Sequence, residues 1–222
     1  MSGVQALISD FGGVLTTPLM HAFAAIQEED GLDAGDLGRA LRRAAERDSA
    51  HPLYELECGR MTEADFLARL RAQLREDLGR EVHLRAFAER YFAGLRPNEP
   101  MLALLGELRD RGYRLALLTN NVREWEPRWR AMLPVDELFE VVVDSAFVGV
   151  RKPDPAIYRL VCDRLGVGPE GCLFVDDVEA NCAAAAELGM AAVWFRDNAQ
   201  AIPEIRAALG GAQLSQPSRS QR

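Results

Sequence analysis

Asp10 stands in the run Asp10-Phe11-Gly12-Gly13-Val14, directly after the apolar stretch Val4 to Ile8. A carboxylate between an apolar run and two glycines predicts a buried strand ending in a turn, where open α/β sheets place their reactive groups. Three further signals follow in order, each at or just beyond the end of an apolar run: Thr119-Asn120, Lys152-Pro153 and Asp176-Asp177. An aspartyl carboxylate can attack phosphorus and divide hydrolysis into formation and breakdown of an acyl phosphate. Attack by one anion on another requires charge neutralisation by a divalent ion and fixed donors. Asp176 and Asp177 offer oxygen ligands suited to Mg²⁺, which keeps several waters and often takes only one or two carboxylates. The Gly12 backbone carbonyl lies two residues beyond Asp10 and can join them. Lys152, in a segment stiffened by Pro153 and Pro155, is a compact charge for a phosphoryl oxygen or for the nucleophile. Thr119 and Asn120 supply a hydroxyl, an amide and backbone N–H groups that can hold phosphoryl oxygens. Each signal also has a plain structural use as turn former, helix cap or solvated lysine. Their occurrence together and in this order points to a site.

The elements that must position these residues alternate from about Leu102 onward. Helices are expected over Met101 to Arg111, Glu124 to Met132, Pro155 to Leu165 and Glu179 to Leu188, with Gly112, Gly166 and Gly189 as stops. Strands are expected over Arg114 to Leu118, Val141 to Val143, Cys172 to Val175 and Ala191 to Phe195, with Val4 to Ile8 as a further central strand. Such alternation predicts βαβ units around a parallel sheet. The stretch from Thr17 to Arg96 lacks strand-like runs. It predicts helices over Ala22 to Glu29, Gly35 to Arg47, Thr62 to Leu78 and Leu84 to Ala93, with Thr62 as an N-cap. An all-α module is thus inserted after the first strand. The arginines of the second of these helices (Arg39, Arg42, Arg43, Arg47) read as a solvated face, and Trp125 and Trp129 as core.

The chain has 222 residues, 48% hydrophobic, enough for one large domain or a core with an insert. A net charge of −8 disfavours nucleic acid and anionic membrane as main partners. No apolar stretch approaches the ~20 residues of a spanning helix, and no secretory signal is visible. Cys58, Cys162, Cys172 and Cys182 show no CxxC spacing and read as reduced, buried thiols of a cytoplasmic protein.

With all four loop signals in order and a helical insert between the first and second, the chain resembles the haloacid dehalogenase-like hydrolase superfamily over roughly Val4 to Leu209. The resemblance implies an α/β fold: a Rossmann-like core (1–16 and 97–210) with helices on both faces of a parallel sheet. It implies a helical cap (17–96); the tail after Gly210 (211–222), polar and rich in Gln, Ser and Arg, reads from its composition as disordered. It implies Asp10 as nucleophile, Thr119 and Asn120 as phosphate binders, and Lys152 as charge neutraliser. Mg²⁺ would be held by Asp10, the Gly12 carbonyl and Asp177 directly, and by Asp176 through water. Asn181 fits a spacing of the branch that includes the phosphatase domain of soluble epoxide hydrolases and sugar-1-phosphate phosphatases. The implied activity is a Mg²⁺-dependent phosphatase acting on a small phosphorylated metabolite, as a monomer or homodimer. The alternatives are a 2-haloacid dehalogenase, for which the acidic pair has no use, and a catalytically weak or inactive phosphate-ligand-binding protein.

One departure bears on these. The family's usual motif is Asp-x-Asp, and its second aspartate protonates the leaving oxygen; here that residue is Gly12. Its absence favours substrates with good leaving groups or a proton donor from elsewhere, with Glu28, Glu29, His21 and His51 as candidates. Substrate choice would rest on cap residues such as those of Pro18 to Phe23 or Tyr54 to Met61.

Overall fold

Residues 3–48 and 50–210 are described by the computed structural model; the tail expected after Gly210 lies outside them. In chain order the elements are β1 (Ala6–Ser9), α1 (Leu19–Glu29), α2 (Asp36–Asp48), α3 (Pro52–Glu57), α4 (Glu63–Leu78), α5 (Phe87–Ala93) and α6 (Glu99–Asp110). They continue with β2 (Arg114–Thr119), α7 (Glu126–Met132), α8 (Val135–Leu138), β3 (Val141–Asp144), α9 (Ser145–Val148) and α10 (Pro155–Leu165). The last are β4 (Cys172–Asp176), α11 (Glu179–Glu187), β5 (Ala191–Trp194) and α12 (Asn198–Gly210).

The five strands form one parallel sheet in the order β3-β2-β1-β4-β5. β1 is buried along its whole length because both faces are covered. Leu7, Leu115, Leu117, Leu173 and Val175 belong to the core on one face; Ala6, Ile8, Ala116, Leu118 and Phe174 belong to the core on the other. The first core is completed by Leu104, Leu105 and Leu108 of α6, Trp129 of α7 and Ile205 of α12, the second by Ile157 and Tyr158 of α10 and Ala185 of α11. Period-2 alternation therefore sends neighbouring residues of one apolar strand into two separate cores, which is why these strands read as continuous apolar runs.

The expected strands and most helices are present with shifts of at most three residues at their ends. Thr62 caps α4 by accepting a hydrogen bond from Asp65 N (3.1 Å), and Asp154 caps α10 by accepting from Ala156 N (2.8 Å). The helix expected over Glu124 to Met132 is split, since residues Arg123–Trp125 form a 3₁₀ turn and Pro127 restarts the chain as α7. The short helices α3, α8 and α9 span too few residues to show a periodicity. No expectation covered α12, whose interior Pro203 removes a helical donor. Trp125 and Trp129 are both buried. All four cysteines are free and buried.

The helices α1 to α5 lie between β1 and β2 in the chain. Their two connections to the sheet run side by side: Thr16 bridges Pro97 in antiparallel fashion, Thr17 N donates to Arg96 O (2.8 Å) and Asn98 N donates to Leu15 O (2.8 Å). Among the described residues no helix is long and apolar enough to cross a membrane.

Candidate active site

Strand order reverses at β1, because β2 lies on one side of it and β4 on the other. At such a switch point the loops after neighbouring strands part and leave a crevice beyond their carboxyl ends. Ser9 pairs with Leu117 of β2 and with Val175 of β4, so these strands end level and deliver Asp10, Thr119 and Asp176 to one place. The turn after Asp10 depends on Gly13. Its φ of +77° is left-handed, and a Cβ there would stand 2.2 Å from Asp177 Oδ2.

Lys152 organises this crevice. Its ammonium is buried at 1% exposure and donates to Asp10 Oδ1 (2.6 Å), Asp176 Oδ2 (2.7 Å) and Leu118 O (2.8 Å). Three fixed acceptors use all three of its protons. Burial alone would lower its pKa, but Asp10 and Asp176 outweigh burial and hold the ammonium above its ordinary value. Asp176 is saturated from the other side, accepting from Asn181 Nδ2 (3.0 and 3.1 Å) and Val178 N (2.8 Å). Asp177 is partly exposed and has no such set of donors among the described hydrogen bonds.

Asp10, Asp176 and Asp177 bring one carboxylate oxygen each to within 4.8 Å of one another. Three carboxylates around one ammonium leave an excess of negative charge in a poorly solvated pocket. Burial, with added repulsion from Asp176 and Asp177 and opposed by Lys152, pushes the Asp10 carboxyl up to about 7. Burial and Asp176 push Asp177 up to about 6. An all-oxygen donor set with surplus negative charge fits a hard divalent cation such as Mg²⁺.

The sequence-expected residues thus converge, with one qualification of role. The Asn120 side chain is engaged by the Lys152 backbone: its Oδ1 accepts from Lys152 N (2.8 Å) and its Nδ2 donates to Lys152 O (3.0 Å). Held this way, Asn120 positions the Lys152 backbone, and its second Nδ2 proton and its main-chain N–H are left to meet a phosphoryl oxygen. Thr119 is 2% exposed and lines the crevice.

A cavity of about 430 Å³ rises from Asp10, Thr119 and Lys152 into helices α1 to α5. Pro18, Leu19, Met20, Phe23 and Leu56 line it, within the two segments expected to face Asp10. None of Glu28, Glu29, His21 and His51 does so. His51 instead stacks on Tyr54 at 4.2 Å. The titratable groups of the helical segment that do line the cavity are Glu57 and Tyr91. Glu57 pairs with Arg151 at 2.6 Å, and burial raises its pKa against that partner. Burial, together with Asp10, Glu57 and Asp177, raises the Tyr91 hydroxyl pKa. The sequence carries no periodic or motif signal for these two, because nothing local fixes how the helical segment sits over the sheet. Arg151 had one clue, its place beside Lys152.

A cavity wall also stands where the second aspartate of Asp-x-Asp would begin. A Cβ on Gly12 would lie 2.8 Å from Leu19 Cδ1, so an isobutyl group takes up that space.

Bifunctional epoxide hydrolase 2 of Sus scrofa is 26% identical over 97% of this chain. The chain spans only 40% of that protein and between 19% and 47% of the first curated relatives it matches. The sesquiterpene phosphatase astK of Aspergillus oryzae is 28% identical over 93% of this chain and 97% of its own length. A HAD family enzyme of Bacteroides thetaiotaomicron, solved with magnesium and inorganic phosphate, superposes with a TM-score of 0.63 at 25% identity, covering 86% of this chain and 93% of its own. The sequence profile of the haloacid dehalogenase-like hydrolases matches residues 4–189, and the chain belongs to that family of hydrolases.

Proposed function

We propose that this chain is a Mg²⁺-dependent phosphatase that hydrolyses a phosphate monoester through an aspartyl phosphate on Asp10. Residues 17–96 act as a helical cap over a core of 1–16 and 97–210. The observation that carries the proposal is the buried Lys152 ammonium, fixed at 2.6 Å from Asp10 and 2.7 Å from Asp176, with Asp177 beside them. A 2-haloacid dehalogenase would have no use for the surplus carboxylates.

Mg²⁺ would be held by Asp10, Asp177 and the Gly12 carbonyl, with Asp176 through water, and when bound it neutralises charge on the phosphoryl oxygens. Lys152 keeps Asp10 oriented, favours its ionised form against the effect of burial, and faces the charge that develops on the phosphoryl group. The Thr119 hydroxyl and the backbone N–H groups after β2 orient the phosphoryl group. An Asp10 oxygen forms a bond to phosphorus as the ester P–O bond breaks, and the alkoxide departs with that electron pair. No side-chain acid extends from position 12, so the departing oxygen draws its proton from water. Water then attacks phosphorus, releasing inorganic phosphate and the Asp10 carboxylate. The cap excludes bulk solvent during these steps.

Phosphate release with Mg²⁺, across esters ordered by leaving-group pKa, tests this directly. The expected result is turnover that needs Asp10 and Mg²⁺ and falls steeply as the leaving group worsens. Release from none of the esters, aryl and acyl phosphates included, would contradict the proposal and favour a phosphate-ligand-binding protein.

A further inference from the structure

The cavity above Asp10 is divided in its chemistry. Its floor holds Thr119, Asn120, Lys152 and Asp177, whereas its walls come from α1 to α5. Leu19 and Phe23, Leu37 and Leu41, and Phe66 and Leu70 are contributed by three different helices. Further in, Phe23 packs at 5.1 Å from Tyr91 and Tyr91 at 5.0 Å from Trp125, which adds an aromatic wall. The charged side chains that α1 to α5 contribute to the lining reduce to Glu57, and Arg151 neutralises it at 2.6 Å. A polyhydroxylated or zwitterionic group placed between these helices would lose its water and find only the Tyr91 hydroxyl and the Arg151-paired Glu57 as polar partners there. An apolar group would gain from the same burial.

The loop that follows the nucleophile meets a side chain of the same character. The Leu19 side chain lies 2.8 Å from the point where a Cβ on Gly12 would stand. The cavity is continuous with the crevice at Asp10, so an ester seated with its phosphate on the floor must project its alcohol portion between these walls.

Resting on the phosphatase assignment above, we propose that the substrate is the phosphate monoester of a lipophilic alcohol, whose hydrocarbon portion fills the cavity between α1, α2, α4 and α5. Sugar phosphates, amino-acid phosphates and nucleotides are disfavoured, because α1 to α5 offer their polar groups few partners.

The test uses the Mg²⁺-loaded full chain and n-alkylphosphonates from ethyl to decyl, which cannot be hydrolysed, measured by calorimetric titration. Affinity is expected to rise by up to about fourfold per added methylene until the cavity is full. Binding should show a negative heat-capacity change. Glycerol 3-phosphate and glucose 6-phosphate are expected to bind at least tenfold more weakly than octylphosphonate. Leu53→Gln and Phe23→Ser alter half-buried wall positions and should flatten the chain-length dependence, with a melting curve confirming that each variant is folded. Affinity independent of chain length, or tighter binding of the polar phosphates, would overturn the proposal. Phosphate release is measured in parallel from 4-alkylphenyl phosphates of matching chain length, whose aryl leaving group departs without an acid at position 12. Chain-length-dependent binding without release would sink the phosphatase assignment while supporting the ligand class. Release without chain-length dependence would do the reverse.

Discussion

Lys152 is surrounded by protein on every side, and its charge is balanced by two carboxylates that are themselves buried. Replacing Lys152 by Met leaves Asp10 and Asp176 facing each other without a cation. The expected cost is about 3 kcal/mol of stability, read from urea unfolding in the absence of divalent ions, together with loss of turnover. A variant as stable as the parent would show that the ammonium is not the counter-charge assigned to it. Gly12 permits a second experiment on single residues. Gly12→Asp alone must displace Leu19, so Gly12→Asp combined with Leu19→Ala gives the new carboxylate room. If the missing acid limits the reaction, the double variant gains on poor leaving groups, up to the ~10²–10⁴ that general acid catalysis supplies, and gains little on aryl phosphates. Equal change on both classes would place the limit elsewhere.

At the scale of elements, the end of β3 carries a pH-sensitive joint. Asp144 caps α9 by accepting from Ala146 N at 2.9 Å, while its other oxygen is buried without a partner. Burial, opposed by that hydrogen bond and aided by Glu126, raises its pKa from 3.8 to about 6. A raised carboxylate favours the folded state while protonated. Its contribution is therefore complete below about pH 4 and is lost as pH rises through 6, where ionisation costs on the order of 3 kcal/mol. Asp144→Asn keeps the cap and removes the charge. It should match the parent at pH 4 and exceed its stability by about 1–3 kcal/mol at pH 8; an unchanged difference between the two pH values would refute the assignment. The element boundaries that sequence could place were those set by local chemistry: the Thr62 and Asp154 caps, the Gly166 stop and the apolar runs of the sheet. The four loop signals were legible for the same reason, since three stand at or directly after the end of a strand and Lys152 stands just ahead of Pro153 and a capped helix. The dual grip of Asn120 on Lys152 was not, because it joins residues 32 apart through backbone atoms. Nor was the wall formed by Phe23, Tyr91 and Trp125, since those side chains meet only after the helical segment has folded onto the sheet.

Taken as one molecule, the protein brings an excess of carboxylates and an apolar cavity to the two sides of Asp10. The first property predicts a response to Mg²⁺ in the absence of any substrate. At a hundred times its dissociation constant the ion should stabilise the fold by about 2.7 kcal/mol, seen as a raised Tm. Asp177→Asn should reduce that gain and Asp10→Asn should reduce it further; a gain unaffected by either would place the ion elsewhere. The central claim is that the phosphoryl group passes through Asp10 and that water then attacks phosphorus. Turnover in oxygen-18 water, followed by mass spectrometry of the released phosphate and of the Asp10 peptide, addresses it most directly. The account predicts label in the phosphate and none in the Asp10 carboxylate. Label accumulating in Asp10 would mean that water attacks an acyl carbon, as in displacement of halide, and would contradict attack at phosphorus.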